Sequence, residues 1–172
     1  APVVIATWNG TPDRDRVNTP DLGAWFAQQI QLQIDDMAAN GIKFAGFMAD
    51  SIFSSDGVLP GPAGYLKAAI DVVHANGGIF IADEVQPGFA RTGEHFWGFG
   101  RHGIVPDVVT LGKPTGNGIH VSALLATAAV LAAFSDEILY FNTFGGHSVL
   151  IAAAPPVFLG ICVVGVQAHS IT

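Results

Sequence analysis

Cysteine and positive charge are both scarce in this chain. Its one cysteine, Cys162, permits no internal disulfide and fits a reducing compartment, with the cytoplasm as the expected location. Seven lysines and arginines, spread thinly over 172 residues, stand against fourteen Asp and Glu and leave a formal charge of −7. That excludes nucleic acid as an expected partner, because phosphate recognition needs clustered Lys and Arg. Charged residues make up only 12% and apolar residues 50%, with mean hydropathy +0.45. This is oilier than most free-standing soluble domains, so the chain is expected to cover itself against a partner or to be part of something larger. His95, His102, His120 and His147 show no metal-ligand spacing, and no metal site is expected. A charged segment leading into an apolar one is missing from the start, so no signal peptide is read, and Ala1 looks like a cut or processed end. The one long apolar run, residues 149–166, just reaches the length of a membrane span, but Pro155-Pro156 lies inside it. Adjacent prolines break a helix, so a buried segment is expected there and no membrane partner.

What is present has a clear rhythm. Residues 1–20 hold prolines and polar turn formers and read as loop; Thr19-Pro20-Asp21 then looks like a helix start. Leu22, Phe26, Ile30 and Ile34 recur every four residues, which predicts an amphipathic helix through Met37, stopped by Asn40-Gly41. Ile42–Ala49 reads as a strand, 54–63 as a loop, Gly64–Ala75 as a second helix ended by Asn76-Gly77-Gly78, and Ile79–Ala82 as a buried strand. Val105–Leu111 and Ser122–Ala126 supply further strands, and Thr127–Phe134 a helix. Strand, helix, strand with short links implies an α/β fold with a parallel or mostly parallel sheet and crossover helices. Ligands of such sheets sit outside the carboxyl ends of the strands. Asp83-Glu84 follows one strand at that edge and Gly112-Lys113 follows another.

The segments Asp83-Glu84-Val85-Gln86, Gly88-Phe89, Arg91-Thr92-Gly93, His95-Phe96-Trp97, Pro106-Asp107, Gly112-Lys113, Gly116-Asn117-Gly118 and Asn142-Thr143-Phe144-Gly145-Gly146 succeed one another across about 47–146. In that order and spacing they resemble the class III, pyridoxal-phosphate-dependent aminotransferases of fold type I. The branch they look most like contains alanine–glyoxylate aminotransferases and amino-alcohol-phosphate phospholyases. Several short motifs in register are a specific signal where one would be weak. The resemblance implies part of a fold type I large domain, pyridoxal phosphate as cofactor, and a homodimer. It implies Lys113 as the Schiff-base lysine and the base that moves the substrate's Cα proton, and Asp83 as the partner of the pyridine nitrogen. It implies Val85 packed on the ring, Gln86 bonded to the ring's phenolic oxygen, and Thr143 reaching across the dimer to the phosphate on the partner's cofactor. Arg91 has two readings, a bidentate partner for a substrate carboxylate or, the one preferred, a residue that steadies the loop after Asp83, and Glu84 would support the site from behind.

The residues taken by themselves allow plainer roles. Asp83 could cap the next element, Lys113 could be a solvated loop lysine, Val85 a strand-end core residue, Gln86 a surface amide, and 143–146 a glycine-rich turn. The chain also departs from the family. Residues 1–40 contain neither the small-residue phosphate loop nor the ring-stacking aromatic, His147-Ser148 replaces an Asn-Pro pair, and the sequence after about Ala154 no longer resembles the family. The chain is therefore expected to be a fragment that holds the cofactor weakly. Three functions follow: amino transfer from an amine or amino acid to an oxo acid, elimination of phosphate from an amino-alcohol phosphate, or an inactive remnant serving as an interaction module.

Overall fold

A computed structural model describes residues 21–140, 143 and 145–157. The reading of 1–20 as loop, the motif residues Asn142 and Phe144, the rest of the apolar tail and Cys162 lie outside the described residues. Helix α1 spans Leu22–Ala39, and the Asp21 carboxylate opens it by accepting the Ala24 N–H at 2.9 Å. Its four-residue apolar stripe faces inward, burying Ile30 and Ile34 against Ala69 and Val73 of helix α2 (Leu66–Ala75). Gly41 follows at φ +71°, the left-handed conformation that lets the chain leave the helix.

The sheet has the order β1 (Gly46–Ala49), β2 (Ile79–Asp83), β3 (Val108–Leu111), β4 (Ala123–Ala126). The first three strands are parallel and β4 is antiparallel to β3. This meets the expectation of an α/β fold with a mostly parallel sheet and crossover helices. Phe80 and Ala82 of β2 point to the helix-covered face, where Tyr65, Leu66, Ile70, Ile104, Val109 and Leu111 complete the main core. Phe26 of α1 joins the layers, its ring meeting Phe47, Phe53 and Tyr65 edge-on at 5.8–6.3 Å. Because β1 and β2 share register from Gly46↔Ile79 to Ala49↔Ala82, the chain leaves both strands at the same sheet edge.

The end of the described chain departs from the sequence reading. Residues 148–157 are helical straight through Pro155 and Pro156. The two prolines remove only the N–H groups that would bond the carbonyls of Ile151 and Ala152; both residues are exposed, so water can satisfy those oxygens. The expected buried segment is not buried here either, since Val149 and Ile151 lie more than half exposed. No described helix is long and apolar enough to cross a membrane. Helix α3 (Ala128–Ser135) is almost wholly apolar yet buries no residue, and Leu124, Leu131, Ile138 and Leu139 are also open to solvent. Among the described residues β4 is moreover a sheet edge with an apolar sequence, a template for pairing with other chains. The chain on its own should therefore bind a hydrophobic dye such as ANS and elute well above its 17.9 kDa in light-scattering chromatography. Replacing Leu124 and Leu131 with lysine should move it toward the monomer; an unchanged elution volume would remove this surface as the cause.

Candidate functional site

Three loops leave the carboxyl edge of the sheet, after β1, β2 and β3. All six non-glycine residues at positive φ among the described residues lie on them: Phe53 and Val58, Phe89 and Ala90, Lys113 and Asn117, at +41° to +61°. Each such conformation costs about 1–3 kcal/mol and persists only where neighbours over-determine it; such positions cluster at binding sites. A cavity of about 290 Å³ opens between the loops, lined by Asp50, Ser55, Asp56, Asp83, Val85, Gln86 and Lys113. It lies near the lower end of the range for small-molecule sites, about 300–1,000 Å³.

Asp83 ends β2, level with Thr110 of β3. Its Oδ1 accepts the Val85 N–H at 3.0 Å, so the plain capping role is real, but it occupies one oxygen only. Oδ2 has no hydrogen-bond partner among the described residues, and Asp83 is one of the residues that line the cavity. Lys113 follows β3 after Gly112 and is exposed. Its amine makes no hydrogen bond or ion pair among the described residues, whereas Lys67 is held by Asp71 at 3.0 Å. Val85 lies against the Gly112 backbone, its methyls 3.5 Å from where a Cβ would stand, and gives the cavity an apolar wall. Gln86 Nε2 donates to Ser55 Oγ at 3.2 Å, joining the loops after β2 and β1.

The support behind this wall is buried. Glu84, alternating to the other side from Asp83, is 0% exposed, and its carboxylate accepts the N–H groups of Gly98 (2.7 Å) and Phe99 (2.9 Å). Burial pushes its pKa up to about 7, with Asp50 and Asp83 adding to the rise and the two N–H bonds opposing it. The loop between is folded on Phe89, Phe96 and Trp97, whose rings meet at 4.6–5.7 Å. His102, 2% exposed, takes the Gly64 N–H on Nδ1 and faces the Ser51 carbonyl with Nε2 at 3.1 Å. That pairing assigns its proton to Nε2, and burial lowers its pKa, so the ring is a neutral staple between two loops.

Asp83, Val85, Gln86 and Lys113, chosen from the sequence, are thus brought to one cavity. Thr143 is not among the lining residues and is exposed in this chain. Arg91 is a correction: it is exposed and holds nothing among the described residues, because the aromatic rings and Glu84 already fix the loop it was expected to steady. Asp50, Ser55 and Asp56 were missed. They follow β1, and the edge rule applied to Asp83 and Lys113 would have found them once β1 was placed beside β2. No described group of three or more His, Cys, Asp or Glu could hold a metal ion.

A free carboxylate oxygen, an apolar wall, an amide and a free amine are the groups a protonated pyridine ring bearing a phenolic oxygen and an aldehyde would need. The residues present fit pyridoxal phosphate at its ring end. At the phosphate end they do not suffice: Lys113 is the one cation on the lining, beside three carboxylates. A model of the family described as "Aminotransferase class-III" matches residues 11–161, beyond the motif-bearing stretch on both sides. An alanine–glyoxylate aminotransferase 2-like protein of Drosophila melanogaster is 42% identical over 86% of this chain. A phospholyase from Arthrobacter, solved with phosphoethanolamine, superimposes with TM-score 0.75 at 36% identity, covering 88% of this chain and 35% of that one. An (S)-enantioselective omega-transaminase from Thermomicrobium roseum gives 0.71 at 27% identity, covering 82% of this chain and 32% of its own. The chain spans 30% of the length of the Drosophila relative.

Proposed function

The chain belongs to the class III aminotransferases, and from that premise we propose that it carries the ring-binding half of a pyridoxal phosphate site that moves an amino group from an amine or amino acid to an oxo acid. The observation that carries the reading is the shared cavity: Asp83 and Lys113 leave neighbouring parallel strands and meet across one ligand-sized space. Pyridoxal phosphate, when bound, supplies an electron sink for charge left at the substrate's Cα. Asp83 would accept the pyridine N–H and keep that proton in place. Val85 would cover one face of the ring and exclude water there. Gln86 would donate to the phenolic oxygen. Lys113 would hold the cofactor through its amine and, once a substrate amine has displaced it, would carry the proton removed from Cα. Among the described residues nothing ties that amine to a carboxylate, which leaves it available for both roles.

Thr143 we place at a homodimer interface, where its hydroxyl would meet the phosphate of the partner's cofactor; its exposure in the single chain agrees with a role made only on assembly. A cytoplasmic location is proposed from the lone cysteine. A second reading, elimination of phosphate from an amino-alcohol phosphate, is favoured by the likeness to the Arthrobacter phospholyase, which is stronger than that to the transaminase. Both reactions use Lys113 and Asp83. The test incubates the cofactor-loaded protein with an amine donor plus pyruvate, and separately with phosphoethanolamine alone. A new amino acid is expected in the first; free phosphate in the second, without the first, would replace transfer by elimination, and neither product would overturn both.

A further inference from the structure

We infer that Ser55 is a positioning residue for Gln86, fixing the amide so that its second N–H is left for the ligand; the inference rests on the cofactor reading above. A glutamine amide turns freely and can present either end. Here one of its two N–H groups is committed to Ser55 Oγ, and both residues line the cavity. Ser55 is itself held by a stiff loop. Asp50 Oδ1 accepts the Ile52 N–H at 2.9 Å, and Oδ2 accepts the Ser54 N–H at 2.9 Å and the Ser54 hydroxyl. The Val58 and Leu59 N–H groups return to the carbonyls of Phe53 and Ile52 at 3.1 and 2.8 Å. Phe53 and Val58 hold left-handed φ of +45° and +59°, and His102 fixes the Ser51 carbonyl from behind. The loop after β1 therefore places Ser55, and the Ser55 hydroxyl in turn holds the amide offered by the loop after β2. A donor held at a phenolic oxygen stabilises the form with more negative charge, which lowers the pH at which the bound cofactor titrates.

The test follows the visible band of the cofactor-loaded protein against pH in Ser55→Ala, Ser55→Thr, Gln86→Leu and the double variant S55A/Q86L. Ser55→Ala should raise the midpoint by about half a unit, the scale of one hydrogen bond. Ser55→Thr should restore it, and the double variant should match Gln86→Leu alone. In the unloaded protein, NMR should show one Gln86 side-chain amide proton shifted in the wild type and in Ser55→Thr, and at the solvated position in Ser55→Ala. An unmoved midpoint with an unmoved amide proton, or effects that simply add in the double variant, would overturn the proposal. A wild type with no visible band would count against the cofactor reading, and the amide protons would then decide the role of Ser55 alone.

Discussion

Lys113→Ala should abolish borohydride-fixed labelling by pyridoxal phosphate and reduce amino transfer by at least about 10³-fold, while leaving the melting temperature nearly unchanged. The size follows from losing the attachment amine and the proton carrier in one substitution; general acid–base help alone is worth roughly 10²–10⁴-fold. The unchanged stability follows from the structure. The side chain is exposed and makes no hydrogen bond or ion pair among the described residues, and surface changes of that kind stay within about 0.5 kcal/mol. Lys113→Arg is the stringent control, since it keeps the charge but offers a guanidinium that stays protonated and does not attack an aldehyde. The chain has two other lysines, Lys43 and Lys67, so peptide mapping after reduction is unambiguous. Label found on either of them in the wild type, or surviving in Lys113→Ala, would remove Lys113 from the site.

The sequence made the ends of β2 and β3 readable because strand ends carry the chemistry in such sheets, and the motif residues fall there. The strand beginnings were less readable, since a strand starts where a partner does. Residues 42–49 were expected to be extended, but β2 begins only at Ile79 after the Asn76-Gly77-Gly78 turn, so pairing opens at Gly46. At β3, Pro106 has no N–H, and the Asp107 carboxylate takes the Phe80 N–H at 2.8 Å; the ladder opens at Val108 instead of Val105. The antiparallel direction of β4 was recoverable from length, since residues 112–122 contain no α-helix and a parallel return needs a crossover of about a dozen residues or more. Ser55 and Asp56 were the hardest to see. They matter through a cavity wall shared between two loops, and no periodicity or spacing along one loop reports what the other brings to it.

Glu84 is expected to show the largest stability effect of any site residue. Alanine there would orphan the buried N–H groups of Gly98 and Phe99, each costing about 1–3 kcal/mol, and would leave a cavity besides. A loss of roughly 2–5 kcal/mol is a large share of the about 5–15 kcal/mol that holds a typical fold. The loop bearing Val85 and Gln86 would loosen with it, so limited proteolysis between Val85 and Trp97 should speed up before global unfolding does. The charge predicts a pH dependence too. Burial raises the folded pKa from 4.5 to about 7, so the folded state binds the proton more tightly than the unfolded one. The stabilising contribution of that proton is complete below about 4.5 and is lost as pH rises through 7, a change of roughly 3 kcal/mol at its limit. His102 works in the other direction, its contribution complete above the ordinary imidazole value and lost as pH falls. Glu84→Gln separates the two, because both proteins keep His102. Chemical denaturation of the wild type and Glu84→Gln at pH 5 and pH 8 should show the wild type losing ground to the variant at the higher pH; a difference constant across that interval would show that the buried carboxyl does not titrate there.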